Sequence, residues 1–154
     1  MNRIFNLSSP LGPDALRFER LSGRESISQL FEFDLTCSSE QRGLAPLDVL
    51  GQSFTVEFEV EGGIRHLNGQ CVSFRSAGRS GRKHLYQATL RPGLWYASKR
   101  SDYRIFQHKT VPQIIAQVLA EQRVHADQFE FHLSGAYPER EYCVQFGESD
   151  LAFI

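Results

Sequence analysis

The feature that most constrains this chain is an alternating segment followed by a glycine pair. Residues 53–61, SFTVEFEVE, switch between apolar and polar side chains, which is the period of a strand with one buried face. The apolar face consists of Phe54, Val56, Phe58 and Val60. Gly62 and Gly63 tolerate the positive φ angles of a tight turn, and residues 64–76, IRHLNGQCVSFRS, run back. The pattern predicts a β-hairpin and argues against a helix here.

The same period of two recurs on both sides of this hairpin. Further strands are predicted over residues 16–21, 30–37 and 84–92. Residues 22–28 are predicted to form a turn, residues 77–83 a second loop, and residues 44–51 a single helical turn that ends on Gly51. Several paired strands of this length predict a sheet curled into a β-barrel-like unit between about residues 16 and 91.

The hydrophobic period changes beyond Trp95. Residues 110–122 predict a helix, because Thr110 and Gln113 have the spacing of a capping box and Pro112 lies in the first turn. Its apolar stripe consists of Val111, Ile114, Ile115, Val118 and Leu119. We expect Leu119 to be buried.

Two more strands and a helix start are predicted towards the end of the sequence. The strands cover residues 128–133 and 141–146, and Ser149 is the expected N-cap of the following helix, with Asp150 near the positive end of its dipole. Four residues past Asp150 are too few for a stable helix, so Leu151, Phe153 and Ile154 must dock on the chain, self-associate or fray. We expect docking or self-association.

These patterns together predict an α+β, β-rich fold of antiparallel strands with an added helix. We expect a first β-barrel-like domain over residues 1–97. A second region over residues 98–154 would hold the helix at 110–122, the last strands and an incomplete C-terminal helix.

Four carboxylates, Glu139, Glu141, Glu148 and Asp150, cluster around one predicted strand. A hydrolase could use two of them as acid and base if they faced one pocket and burial raised the pKa of one. A simpler interpretation gives them capping and solvent-facing roles at the helix start. We prefer that interpretation and predict no catalytic residue.

Other candidate binding residues are also explained without a site. Arg75, Arg79, Arg82 and Lys83 concentrate at a loop, where an acidic partner is conceivable but a solvated, edge-protecting hairpin end is favoured. The histidines, His66, His84, His108, His125 and His132, lack metal-ligand spacing. Cys37, Cys71 and Cys143 are odd in number without a C-x-x-C pair, which favours reduced thiols. We predict no metal site and no cofactor site.

Composition narrows the classes of partner. The chain has 154 residues with 41% hydrophobic, enough apolar material for a folded core. Its 17 basic and 18 acidic residues are mixed, so it lacks the positive surface that binds nucleic acid. No window approaches the ~20 apolar residues of a membrane span, and the N-terminus has no apolar stretch of signal-peptide length. We expect protein partners, no nucleic acid, no membrane span, and synthesis in the cytoplasm without a signal peptide.

Five segments, in their order and spacing, resemble the N-terminal hub region of VgrG proteins, the valine-glycine repeat spike proteins of type VI secretion. The segments are SGRESISQLFEFDL (22–35), DVLGQSFTVEFE (48–59), LNGQCVSF (67–74), residues 85–119 from LYQATLRP to IIAQVL, and YPEREYCVQFGESDLAFI (137–154). The resemblance runs from about Ser22 to the end of the sequence. A full spike protein of this family continues for several hundred residues more.

The resemblance implies a structural role. VgrG proteins resemble the hub and needle of a contractile phage tail, with tube-like β-barrels in the hub, and they act as trimers. It therefore implies a homotrimer in the full-length protein, secretion tube and baseplate subunits and effectors as partners, and export by the type VI secretion system into target cells. The carboxylates around residues 137–150 would then belong to a scaffold.

Two alternatives to a spike hub remain open at this stage. The first is an adaptor or docking module that binds an effector or a tube subunit through an exposed edge. The second is a carboxylate-dependent hydrolase that uses Glu139 or Glu141 with Glu148.

Overall fold

The structure is a computed structural model that describes residues 5–121 and 129–154. These residues fall into two compact units, one ending at Pro92 and one running from Gly93 to Ile154. The division lies a few residues before the predicted domain boundary at residue 97. The interpretation of both parts as hub domains stays a prediction.

The first unit is a six-stranded antiparallel sheet. Its strands are β1 (Phe5–Ser8), β2 (Arg17–Ser26), β3 (Gln29–Ser39), β4 (Ser53–Val60), β5 (Gly63–Ser80) and β6 (Lys83–Arg91), in the spatial order β1-β4-β5-β6-β3-β2. A 3-10 helix over Pro46–Asp48 links β3 to β4. The predicted hairpin is formed by β4 and β5, and Val60 lies opposite Gly63 in its register.

This sheet curls until its two edge strands approach each other. The rings of Phe5 on β1 and Phe18 on β2 stack with centroids 4.5 Å apart, although the two strands are not hydrogen-bonded neighbours. The enclosed core consists of Leu16, Phe33, Leu35, Cys37, Val49, Phe54, Val56, Cys71, Phe74, Tyr86, Ala88 and Leu90. The β-rich fold with a curled, barrel-like sheet is therefore confirmed.

The second unit combines a strand pair with helices. Its elements are a 3-10 helix (Gly93–Lys99), β7 (Ser101–Lys109), α1 (Val111–Glu121), β8 (Arg140–Ser149) and α2 (Asp150–Phe153). Strands β7 and β8 pair antiparallel. A small core forms from Phe106, Ile114 and Val118, with Cys143, Phe153 and Ile154 packed against it.

The predicted start of α1 is confirmed in atomic detail. The Thr110 backbone N–H donates to Gln113 Oε1 at 2.8 Å, and the Gln113 N–H donates to Thr110 Oγ1 at 3.4 Å, which is a capping box. Ile114, Val118 and Leu119 are buried as the stripe predicts. The predicted last helical residue, Gln122, lies outside the described residues.

The C-terminal residues dock on the second unit. The Ser149 hydroxyl accepts from the Ala152 N–H at 3.2 Å, so the predicted N-cap is confirmed. The Phe153 ring stacks on Phe106 with centroids 5.6 Å apart. Of the three expected fates of these residues, the structure shows docking.

Three local predictions need correction. Residues 129–133 of the strand predicted at 128–133 are not a strand, and residue 128 lies outside the described part. An alternating segment becomes a strand only if a partner pairs with its backbone, and here Phe129 and Phe131 contact each other edge to face instead. The turn predicted over residues 22–28 and the loop over 77–83 are shorter than expected, because β2 and β5 extend to Ser26 and Ser80.

Candidate interaction surface

The four clustered carboxylates have four different surroundings. Glu139 is exposed and lies 3.3 Å from His108, and Glu141 is also exposed. Glu148 accepts the backbone N–H of Phe146 at 2.8 Å. Asp150 alone is fully buried. The structure therefore gives them surface and backbone-bonding roles, except for Asp150.

Asp150 is part of a buried polar network that the sequence did not predict. Its Oδ1 accepts from Arg104 Nη2 at 2.8 Å and from Gln145 Nε2 at 2.7 Å. Arg104 Nε also donates to Gln145 Oε1 at 2.7 Å, and its Nη1 bonds the Glu121 carboxylate. Gln145 is fully buried as well. A charged residue between the apolar Tyr103 and Ile105 was the one signal in the sequence for this network.

The network fixes one face of the β7–β8 pair to the helices. Arg104 lies on β7, Gln145 on β8, Glu121 at the end of α1 and Asp150 at the start of α2. Because each charged group has several partners, the desolvation of Asp150 is compensated by hydrogen bonds to both neighbouring side chains. These side chains therefore hold the second unit together rather than presenting reactive groups.

The opposite face of the β7–β8 pair is apolar and exposed. Tyr103 lies opposite Phe146, and the two rings meet edge to face with centroids 5.3 Å apart. Ile105 lies opposite Val144, and Tyr142 follows on the same side. Tyr103 and Phe146 are 72% and 77% exposed, which is unusual for neighbouring aromatic residues. We call these five side chains the apolar face.

A glycine shapes one end of the apolar face. Gly147 has a φ of +86°, and a Cβ at this position would lie 2.6 Å from the hydroxyl oxygen of Tyr103. Only glycine allows both this backbone conformation and the Tyr103 ring above it. The local irregularity in the register between Ser101 and Tyr103 lies at the same end.

The apolar face is bordered by opposite charges. At one end, the Lys109–Arg140 pair follows the Gln107–Tyr142 pair in the register. At the other end the Glu148 carboxylate lies against the backbone of Phe146. A large exposed apolar patch with a polar rim is typical of a protein interaction site.

The basic residues, histidines and cysteines that the sequence offered as candidate binding residues are described next. Arg79 and Arg82 are exposed at the β5–β6 hairpin end, whereas Arg75 is exposed further along β5, opposite Gln87. Within residues 5–121 and 129–154, no group of three or more His, Cys, Asp or Glu could hold a metal ion. His125 lies outside these ranges. The three cysteines are free, as predicted.

Among the described segments, no helix is long and apolar enough to cross a membrane.

Comparison with known proteins identifies the family. The phage tail baseplate hub (GPD) family model matches residues 24–154, and the chain belongs to this family. It is a structural family and not an enzyme family, in agreement with the prediction that the chain is not an enzyme. The predicted resemblance to spike hub proteins is therefore confirmed.

The relatives include named spike proteins. The chain is 40% identical over 154 residues to the type VI secretion system spike protein VgrG1c of Pseudomonas aeruginosa, covering 99% of this chain and 21% of that protein. It is 37% identical to VgrG1a of the same organism, covering 100% and 24%. The chain thus spans about a fifth to a quarter of the length of these curated relatives.

A solved structure is similar over nearly the whole chain. It is the E. coli c3393 protein, described as a component of the type VI secretion system with structural similarity to the T4 bacteriophage tail proteins gp27 and gp5. The TM-score is 0.84 at 30% identity, and the match covers 96% of this chain and 41% of that one.

Proposed function

We propose that this chain is a structural part of the hub of a type VI secretion spike. The observation that carries the proposal is the baseplate hub family match over residues 24–154, together with 40% identity to a spike protein over 99% of the chain. The curled sheet and the strand–helix unit each have their own hydrophobic core.

In the finer form of the proposal, the chain helps mount the spike on the secretion tube and helps deliver effectors into target cells. It works within a homotrimer of the full-length protein and contacts secretion tube and baseplate subunits. It is exported by the secretion system. The names of VgrG1c and VgrG1a, type VI secretion system spike proteins, support a place in the spike.

The domain assignment is part of the same proposal. Residues 1–97 form the first hub β-barrel-like domain, and residues 98–154 begin the second hub region. The all-antiparallel sheet up to Arg91 and the strand–helix composition after Gly93 support this division. The alternative function, an adaptor that binds an effector or a tube subunit, stays a prediction from the sequence.

A chimeric spike tests the hub proposal. The matched part of VgrG1c is replaced by this chain, and the tube subunit and the chimera are followed in the culture medium of a strain that lacks its own spike proteins. We expect secretion of both, because a hub segment of the same fold should assemble in place of the native one. The control replaces the same part with an unrelated β-rich domain of similar length and should abolish secretion.

One outcome would contradict the proposal. A chimera that is soluble and folded in the cytoplasm but fails to support secretion would show that this chain cannot act as a hub segment.

A further inference from the structure

The outward side of the sheet in the first unit carries a polar groove that crosses four strands. The groove has a volume of about 300 Å³ and is lined by Arg20, Ser22, Asp34, Thr36, Ser73, Arg75, Gln87 and Thr89. The residues that alternate with these on their strands, such as Leu35, Phe74 and Ala88, are buried in the core. The groove therefore lies on the side of the sheet that faces away from the core.

The strand register arranges the lining residues in two rows that cross the sheet. The first row consists of Arg20, Thr36, Gln87 and Arg75, on β2, β3, β6 and β5 respectively. The second row consists of Ser22, Asp34, Thr89 and Ser73 on the same four strands. Directly opposed residues of antiparallel strands point to the same side, so each row is a continuous line of side chains. Long side chains end the first row, and shorter ones lie between and beside them.

The two arginines at the ends of the first row are not used within the chain. Arg20 and Arg75 are exposed, and among residues 5–121 and 129–154 neither forms a hydrogen bond or an ion pair. By contrast, Arg65 on β5 pairs with Glu25 on β2 at 2.6 Å. The carboxylate of the groove, Asp34, accepts a hydrogen bond from a threonine hydroxyl at 3.0 Å and bonds neither arginine. Both guanidinium groups are therefore available to a ligand.

We propose that the groove binds an extended acidic segment of a partner protein through two carboxylates, one on Arg20 and one on Arg75. The two arginines lie three strand spacings apart, about 14 Å along the sheet. Acidic residues at positions i and i+4 of an extended segment point to the same side and lie about 13–14 Å apart. Each carboxylate can accept two parallel N–H bonds from a guanidinium. Spacing and charge therefore favour the same occupant.

The middle of the first row suits the backbone of such a segment. Thr36 and Gln87 lie between the arginines and offer a hydroxyl and a carboxamide, each of which can donate and accept. Neither side chain forms a hydrogen bond within the part of the chain that the structure describes. They can therefore satisfy N–H and C=O groups of a segment that crosses above them.

The aspartate in the second row argues against a nucleic acid as the occupant. Asp34 is the diagonal neighbour of Arg20, at about 7–8 Å between Cα atoms. A continuous chain of phosphates would pass close to this carboxylate, whereas a segment with two separated carboxylates need not. The net charge of −1 on the whole chain disfavours a polyanion in the same way.

The inference does not rest on the proposed hub function. It concerns one surface of the first unit and makes no claim about the number of copies in the assembled spike. The chimera tests only the hub, and the measurements below test only the groove, so either can fail alone.

Fluorescence anisotropy with a labelled peptide tests the inference on the purified chain. The probe is the end-blocked peptide Thr-Glu-Thr-Val-Thr-Glu-Thr, whose glutamates are four positions apart in a strand-forming sequence. We expect a Kd of about 100 µM at low salt, and weaker binding at high salt because the ion pairs are exposed. The same peptide with glutamine in place of both glutamates should not bind. A peptide with the two glutamates adjacent should bind at least about five-fold more weakly.

Removing the two arginines should weaken binding. Arg20→Gln together with Arg75→Gln should raise Kd at least about 10-fold, and circular dichroism checks that the variant keeps its fold. The matched control, Arg79→Gln with Arg82→Gln, removes the same charge from the β5–β6 hairpin end and should leave Kd within about two-fold of the wild type. An equal loss in both variants would overturn the proposal, since it would indicate attraction to positive charge in general.

A variant at the aspartate tests the position of the peptide. Asp34→Asn keeps an oxygen that can accept the hydrogen bond from Thr89 but removes the carboxylate beside Arg20, so Kd should fall about three-fold. An unchanged or higher Kd in this variant would overturn the proposal, as would no binding of the peptide by up to about 1 mM wild-type chain. Tighter binding of a single-stranded DNA of about 20 bases, lost in the Arg20 and Arg75 variant, would overturn the choice of an acidic protein segment.

Discussion

At the residue scale, the three cysteines differ in burial, and burial controls their chemistry. Cys37 and Cys71 are fully buried in the first unit, whereas Cys143 is partly exposed. Burial raises the pKa of Cys37 from 9.0 to about 12 and that of Cys71 to about 11, because a thiolate is poorly solvated in the core. The Cys37 thiol instead lies 3.7 Å from the Tyr86 carbonyl oxygen.

This difference predicts selective thiol labelling. At pH 8 a water-soluble disulfide reagent should modify Cys143 readily and the two buried thiols only after denaturation. The raised pKa values also imply a stabilising contribution that is present below pH 9 and is lost as pH rises towards 11 to 12. Mass spectrometry of the labelled native chain checks the first point, and rapid labelling of Cys37 would contradict it.

Leu119 provides a second prediction at this scale. It is 5% exposed, so Leu119→Ala should lower the free energy of unfolding by about 2–5 kcal/mol through lost burial and a cavity. Urea denaturation measures the loss. Ile27→Ala, at an almost fully exposed position, is the control and should change stability by less than about 0.5 kcal/mol. A Leu119 variant as stable as the control would place the residue outside the core.

At the element scale, the Arg104 network joins four secondary-structure elements of the second unit. Its members come from two strands that are adjacent in the sheet and from helix ends that are close in space but not in sequence. Further support comes from Arg100, whose backbone carbonyl accepts the Asp150 N–H at 2.9 Å. The buried Asp150 carboxylate is therefore one of the groups that fix the position of α2.

Removing that carboxylate should be costly. Asp150→Ala leaves the side chains of Arg104 and Gln145 without their shared acceptor, and we expect a loss of about 3–5 kcal/mol, as for other buried ion pairs. Glu139→Ala, which removes only the exposed contact with His108, should cost less than about 1 kcal/mol. Chemical denaturation of both variants measures the difference, and equal losses would show that the network adds nothing to stability.

The docked C-terminal residues predict a further effect on the second unit. Deleting residues 151–154 removes the Phe153 ring from Phe106 and exposes Ile114 and Val118. The melting temperature should fall, because burying each large apolar side chain contributes up to about 1.5–3 kcal/mol. Differential scanning calorimetry measures the change. An unchanged melting temperature would mean that these residues contribute nothing to the core.

At the scale of the whole molecule, basic and acidic residues are nearly equal in number. The fold belongs to the baseplate hub family. The net charge is −1, from 17 basic and 18 acidic residues, so the field around the chain is weak. We expect no binding to a fluorescent 20-base-pair DNA duplex at physiological salt, measured by anisotropy at up to 50 µM chain. A basic DNA-binding domain serves as the positive control, and a saturable, salt-dependent signal from this chain would contradict the expectation.

Local patterns determined much of the secondary structure. The hairpin around Gly62 and Gly63, the capping box at Thr110 and the N-cap at Ser149 each depend on residues close in sequence, so periodicity and spacing suffice to predict them. The five segments carried the resemblance that the family match over residues 24–154 confirmed. Strands β1 and β7 were not predicted, and residues 129–133 were wrongly predicted as a strand, because pairing decides which extended segments become strands.

The tertiary structure alone decided which side chains lie together. Nothing near Asp150 in the sequence shows that Arg104, 46 positions away, donates to it, or that Gln145 is buried beside both. In the same way, Tyr103 and Phe146 form one exposed face only because β7 and β8 pair in this register. The physical reason is that contacts between distant segments depend on chain topology, whereas alternation and capping depend on the few residues that neighbour each position.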